Sequence, residues 1–161
     1  MSDSLAYASD SVNFLSACTV NHSTSSKYES VMFFDKRYVN VIGAILSSNL
    51  FFWHQKVYSD NYHLKQNDIK MFPVLLHTLT EDVINQIEKL YVLYERDVER
   101  NAIIRETKAY SDTKNIKEYK LMNARDFAHK IDDLICPLYG LTGEERDFIR
   151  NYEINFRIVE K

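Results

Sequence analysis

The segment from Tyr38 to Val57 constrains the fold more than any other. Its apolar residues Tyr38, Val39, Ile42, Ile45, Leu46, Leu50, Trp53 and Val57 recur every three or four positions, the spacing that lines up side chains along one face of an α-helix. With Asp35 placed to cap its start, a core-facing helix is predicted over about 36–57. Gly43, Ala44, Ser47 and Ser48 give that helix a thin side, one that lets another backbone come close. The apolar block then passes into "YSDNYHLKQND" and stops at Phe72–Pro73, where the proline biases Phe72 away from helical geometry. Two readings of this junction stay open: a buried helix followed by an ordinary loop, or a loop built to touch something.

The remaining chain supplies enough material for one domain with a core, or for a small domain with a helical appendage, since it has 161 residues and burial rises with length. Only three glycines and two prolines argue against a loop-rich or disordered chain. Upstream, short apolar runs such as Val12, Phe14, Leu15 and Val31, Met32, Phe33, Phe34 alternate with Ser/Thr/Asn clusters, a pattern of strands and loops. The polar "NHSTSSKYES" between them reads either as a plain surface loop or as one that closes on a ligand.

Downstream, a short helical turn capped by Asn67 or Asp68 is expected before Pro73. Thr78 followed by Glu81 has the capping-box pattern, with Thr80 a competing cap. It opens a long helix over about 80–108 with the stripe Val83, Ile87, Leu90, Tyr94 and Val98. Beyond Arg96 apolar density falls, so that end is expected in solvent or against a partner helix. "SDTKN" has turn composition, and "IKEYKL" suits a short strand or extended arm. Asn123 caps a predicted helix over about 124–139 carrying Phe127, Ile131, Leu134, Ile135 and Leu138 and stopping near Gly140. Thr142 with Glu145 repeats the capping box for a last helix over about 142–151. The expected class is α+β: a small N-terminal strand-and-loop region packed on a helix, then a long helix and a C-terminal helical segment. The division falls between a part of strands, loops and the 36–57 helix, residues 1–77, and a helical part, residues 78–161.

The net charge of −3 is unevenly placed, with six Lys/Arg against six Asp/Glu up to Pro73 and fourteen against seventeen from Val74 onward. Neither part is a basic tail, so bulk charge gives no support for sequence-independent nucleic-acid binding. Cys18 and Cys136 have no CxxC partner and come without a signal peptide or long apolar span, which points to reduced thiols in a cytoplasmic protein with no membrane partner. No nucleotide-binding glycine motif, nucleophile elbow or zinc-spaced cysteine pair is present. His129 with Asp132 and Asp133 would make only a weak metal site, and a surface salt bridge between His129 and Asp133, one helical turn apart, is the preferred reading. The chain by itself is expected to carry no catalysis and no cofactor.

Two stretches together have a familiar order. "AILSSNLFFWHQKVYSDNYHLKQNDIKMFPV" resembles the C-terminal target-recognition region, of the TaqI-like specificity type, in adenine-specific DNA methyltransferases of type II restriction-modification systems, including fused restriction/methylation enzymes. The matching positions are Ser47 to Trp53, then Tyr58, Ser59 and Asp60, then Asp68, Ile69, Phe72 and Pro73. The tail is similar at Ile131, Asp132, Tyr139, Gly140, Leu141, Thr142, Glu144 and Glu145, so the resemblance covers roughly Lys27 to Arg157. The family's S-adenosylmethionine motif and its Asn/Asp-Pro-Pro-aromatic motif are missing here. The resemblance therefore implies a recognition domain or fragment that positions duplex DNA for base flipping by a methyltransferase catalytic domain in the same or another chain, where S-adenosylmethionine would bind.

Phosphate contacts come from Ser, Thr, Asn and Tyr as well as from Lys and Arg, so an acidic balance does not forbid this role. The candidate DNA contacts are Ser23, Thr24 and Lys27 in the first loop, and Lys56, Tyr58, Ser59, Asn61, His63 and Lys65 in the second. Both loops are expected on one surface backed by the 36–57 helix, with Trp53 in the core. The stripe of the long helix suits packing within the domain or helix-mediated self-association. The alternative, from another class, is a non-catalytic protein-interaction or inhibitor domain that binds a methyltransferase or other partner, which the acidic helical half suits.

Overall fold

The computed structural model describes residues 4–8, 19–20, 28–32, 38–59, 64–109, 112–119 and 121–157. Among these residues helices dominate, and strands are confined to two small sheets. β1 (Ser4–Ala8) lies between β2 (Thr19–Val20) and β3 (Tyr28–Met32), antiparallel to both, with Ala6 opposite Ser30 and Val20. β3 takes in the end of the polar stretch that was expected to be loop, from Tyr28 to Ser30. Ser23, Thr24, Lys27, Asp35, Asn61 and His63, as well as Val12, Phe14 and Leu15, lie outside the described residues.

The helix predicted over 36–57 is two helices, α1 (Val39–Leu46) and α2 (Asn49–Tyr58), separated at Ser47 and Ser48. Ser48 adopts an extended backbone, φ −88° and ψ 160°, and its hydroxyl accepts from Phe51 N–H at 3.1 Å while donating to Ile45 C=O at 2.6 Å. One side chain thus caps the start of α2 and holds the end of α1. The apolar repeat crosses this break because both helices turn buried faces toward one core, so periodicity alone does not reveal it.

α3 (Gln66–Met71) follows, and Lys65 is its N-cap, correcting the expected Asn67 or Asp68 cap. Asp68 works from inside the first turn, its carboxylate accepting from Lys65 N–H at 2.9 Å. After a short 3-10 turn, Leu76–Thr78, comes α4 (Glu81–Arg100), capped by Thr80, whose hydroxyl accepts from Val83 N–H at 3.4 Å. Thr78 instead donates to Leu75 C=O at 2.7 Å, so the competing cap prevails.

α4 stops well short of 108. After Asn101 the chain forms β4 (Ile103–Ala109), paired antiparallel with β5 (Asp112–Glu118) from Ile103 opposite Glu118 to Ala109 opposite Asp112. Ile103, Ile104 and Thr107 favour strand over helix, and local hairpin pairing satisfies their backbone groups without a core. The "SDTKN" stretch expected to turn is largely strand, from Asp112 to Asn115, and Ile116–Glu118 extend it. Lys117 bonds Glu99 near the end of α4, tying the hairpin to that helix.

α5 (Arg125–Ile135) begins after a 3-10 turn, Leu121–Ala124. Its N-cap position is Ala124, with no side-chain cap bond, and Asn123 falls inside the preceding turn. The helix expected to run to 139 tightens into a 3-10 turn at Cys136–Tyr139, where Pro137 has no N–H to give. Gly140 ends it at φ 71°, a left-handed position that glycine takes without a Cβ clash. Thr142 and Glu145 form the expected reciprocal box for α6 (Gly143–Asn151), with bonds of 3.2 Å and 2.8 Å, and a short α7 (Ile154–Arg157) follows.

One buried cluster draws on both sides of residue 77: Ile45, Leu46 and Phe51 sit in it with Ile87, Ile131 and Ile135. α1 packs on α4 and α5, α2 on α5 and α6, and β1 touches α1. The approach at Gly43 is close, since a Cβ there would lie 2.5 Å from the ring of Tyr91. The thin side of α1 therefore admits an aromatic side chain where a backbone was expected. Tyr91 and Tyr94, both fully buried, stack at 6.1 Å between ring centroids. Burial of such large side chains, each contributing about 1.5–3 kcal/mol, makes α4 the central support of the helical layer.

Candidate nucleic-acid interface

The two ends of α2 sit in opposite environments. At its start the carboxylate of Asp132 on α5, wholly buried, accepts from Asn49 N–H at 3.1 Å, Leu50 N–H at 3.3 Å and the Asn49 amide at 2.7 Å. With Ser48 accepting from Phe51 N–H, every N–H of the first turn has a partner. The Arg150 guanidinium from α6 reaches Asp132 at 3.5 Å and Asp133 at 2.8 Å. Arg146 also meets Asp133, at 3.0 Å. Burial pushes the Asp132 carboxyl up to about 6, opposed by the Asn49 hydrogen bond and the Arg150 charge. Its surroundings are all donors, which favour the ionised form, while burial works against it.

The expected salt bridge between His129 and Asp133 is replaced by these arginine contacts. His129 instead accepts from Arg125 at 3.3 Å, and burial together with Arg150 and Arg125 holds its imidazole below its usual range. Among the described residues no group of three His, Cys, Asp or Glu is placed to hold a metal ion. Burial raises the Cys136 thiol to about 12, with Asp132 adding to it, and no helix among the described residues is long and apolar enough to cross a membrane.

The Phe-Pro step belongs to the same frame. Phe72 is buried with its ring 5.3 Å from Phe51, 5.0 Å from His54 and 5.6 Å from Tyr139, and the Tyr139 hydroxyl donates to Pro73 C=O at 2.9 Å. Trp53 is partly buried against the core. The positions that carry the resemblance thus largely hold one another: Asn49 with Asp132, Phe51 with Phe72, Phe72 and Pro73 with Tyr139.

At its far end α2 emerges into solvent. Tyr58 is 63% exposed, its ring stacked at a tilt on His54 at 4.8 Å. Lys56 is half-buried with its ammonium 5.5 Å above the Phe52 ring, an arrangement that lets the charge stay near water while the stem packs. Ser59 caps the C-terminus, its N–H donating to Gln55 C=O at 2.9 Å, while its buried Oγ has no hydrogen-bond partner. Lys65 is exposed at the start of α3. The structure thus brings Lys56, Tyr58, Ser59 and Lys65 to the α2–α3 junction.

Tyr58 and Ser59 line a small cleft between α2 and α3 together with His54, Gln55, Asp68 and Met71, which the sequence reading did not single out as contacts. Burial holds the His54 imidazole below its usual range, partly offset by the Asp68 charge. Met71, 60% exposed, stands at the rim with Tyr58. A signal for Asp132 was present in the sequence: the buried positions of α5 are Ala128, Ile131, Asp132 and Ile135, so an acid occupies the apolar stripe itself. No such signal marks the cleft, whose lining comes from both α2 and α3. No protein-family model matches the chain, and no curated protein and no solved structure shows significant similarity to it.

Proposed function

We propose that this chain is a DNA target-recognition domain, or a fragment of one, of the type found in adenine-specific methyltransferases of type II restriction-modification systems. It holds duplex DNA while a catalytic domain elsewhere, with S-adenosylmethionine, acts on a flipped adenine. The N-terminal strands belong to the recognition core in this reading, and α4 to α6 support it. The observation that carries the reading is the polarity of α2: its first turn is locked into the core through Asp132, and its last turn presents Tyr58 to solvent beside Lys56, Ser59 and Lys65. A helix fixed at its start and ending in an exposed aromatic and a half-buried lysine, with an exposed lysine at the start of the next helix, suits a phosphate and groove contact.

The test is a titration of labelled duplex DNA at several salt concentrations. Binding whose affinity falls with salt is expected. Replacing Lys27, Lys56 and Lys65 by Gln should weaken it and flatten the salt slope by about 0.9 for each phosphate no longer neutralised. An affinity that these replacements leave unchanged rejects the assignment, and capture of a catalytic subunit without any DNA binding favours a protein-interaction domain.

A further inference from the structure

The exposed ring at the end of α2 is held in place rather than loose. His54 lies against one side of the Tyr58 ring, with centroids 4.8 Å apart and planes at 40°, and Trp53 meets it edge-on at 6.4 Å and 89°. Tyr58 is nevertheless 63% exposed, so the side away from His54 is open to solvent. The charge around it is positive: in α2, in α3 and at the Lys65 cap between them, the described residues include three lysines, Lys56, Lys65 and Lys70, against one aspartate, Asp68. This surplus stands in a chain whose net charge is −3. Asp68 is occupied with its own backbone, accepting from Lys65 N–H at 2.9 Å, whereas Lys65 and Lys70 are exposed. An aromatic face supported from behind, beside positive charge, suits base stacking with neutralisation of the flanking phosphates. A fully paired duplex gives such a face little to stack on, because each base is covered by its neighbours and only base edges reach the grooves.

We infer that Tyr58 is a stacking platform for an unpaired base in DNA, with Lys56, Lys65 and Lys70 drawing in the phosphates on either side of that base. Every base has a flat π-face, so the platform is tolerant of base identity. What it selects is the state of the DNA: a base outside the helical stack, of the kind that base flipping creates. The inference rests on the DNA-recognition reading and deepens it by naming the form of DNA that the end of α2 prefers.

The experiment titrates the full chain with three duplexes of one sequence: fully paired, carrying a single-nucleotide bulge, and carrying the same bulge without its base. Affinity is followed by anisotropy of a label on the DNA, and stacking by the emission of Trp53, the one tryptophan of the chain and a neighbour of the Tyr58 ring. The bulged duplex is expected to bind about tenfold more tightly than the paired one and to quench Trp53. The duplex whose bulge lacks a base should fall back to the affinity of the paired one. Tyr58→Ala should bind all three alike, and Tyr58→Phe, which keeps the ring face, should retain the preference; thermal unfolding verifies that both variants are folded. Replacing Lys65 and Lys70 by Gln should weaken binding to every duplex and leave the preference for the bulge intact. Equal affinity of the wild type for paired and bulged duplexes overturns the inference, and so does a preference that survives in Tyr58→Ala. A baseless bulge bound as tightly as the complete one also overturns it, because the protein then responds to the bent backbone alone. A wild type that binds none of the three duplexes removes the DNA-recognition reading together with the inference.

Discussion

Within its ten residues α2 joins two regions built on opposite terms. At Asn49 and Leu50 the backbone N–H groups meet a buried carboxylate from residue 132, more than eighty positions away. At Tyr58 and Ser59 the same helix ends in solvent, next to a cleft formed by its immediate neighbour α3. The first end is held by a charge that water cannot reach, and such a contact is costly to break because its partners are left unsatisfied. The second end is held by local packing and leaves the Tyr58 ring exposed. The difference teaches that the familiar-looking motif is two devices: a lock that fixes the helix direction and a tip that the lock aims.

Breaking the lock should have the largest effect. Asp132→Ala strands the Asn49 and Leu50 N–H groups and leaves the Arg150 guanidinium without one carboxylate, so a loss of about 3–5 kcal/mol is expected in urea unfolding. A loss below 1 kcal/mol would show that both ends of α2 are held locally.

The proton linkage of the lock comes next. The folded carboxyl of Asp132 is raised from 3.8 to about 6, so the folded state keeps this proton longer than the unfolded chain. Its contribution to stability is fully present below pH 3.8 and is lost as the pH rises through 6, by roughly 3 kcal/mol in all. Asp132→Asn cannot titrate, and its stability relative to the wild type should improve by that order across the window. A half-titration of the Asp132 carboxyl carbon near 6 by NMR is the direct check; one near 4 contradicts the burial argument.

A smaller loss is expected from Ser48→Ala, which removes the hydroxyl that serves both helices. About 1–2 kcal/mol should appear in the same unfolding measurement, with no change in the salt dependence of DNA binding. Smallest in stability, and most informative, is Tyr58→Ala at the tip: a change within about 0.5 kcal/mol combined with weakened DNA binding. Large destabilisation with unchanged binding would reverse the assignment of the two ends.

How much of this was legible depends on distance along the chain. The α6 cap was readable because Thr142 and Glu145 are three residues apart and satisfy each other. Gly140 was readable as a stop, although it ends a 3-10 turn and α5 itself ends at Ile135, and the stripe of α4 placed Ile87, Tyr94 and Val98 in the core as expected. The division of the long apolar helix at Ser48 was hidden, because a serine inside a periodic pattern looks tolerated until its two backbone partners are known. The β4–β5 hairpin was hidden too, since charged residues between Ile104 and Ile116 suit a solvated helix end as well as an exposed ladder.

The sequence by itself determined which segments carry a buried face and where several of them start, since periodicity and capping act within a turn or two of the chain. Tertiary structure alone decided that Asp132 faces the start of α2, that Gly43 makes room for Tyr91, and that Ser59 and Asp68 share one cleft. The physical reason is that a buried charge, a tight approach and a cleft are each defined by atoms from distant elements. Their energies come from desolvation and shape, neither of which exists until those elements have packed.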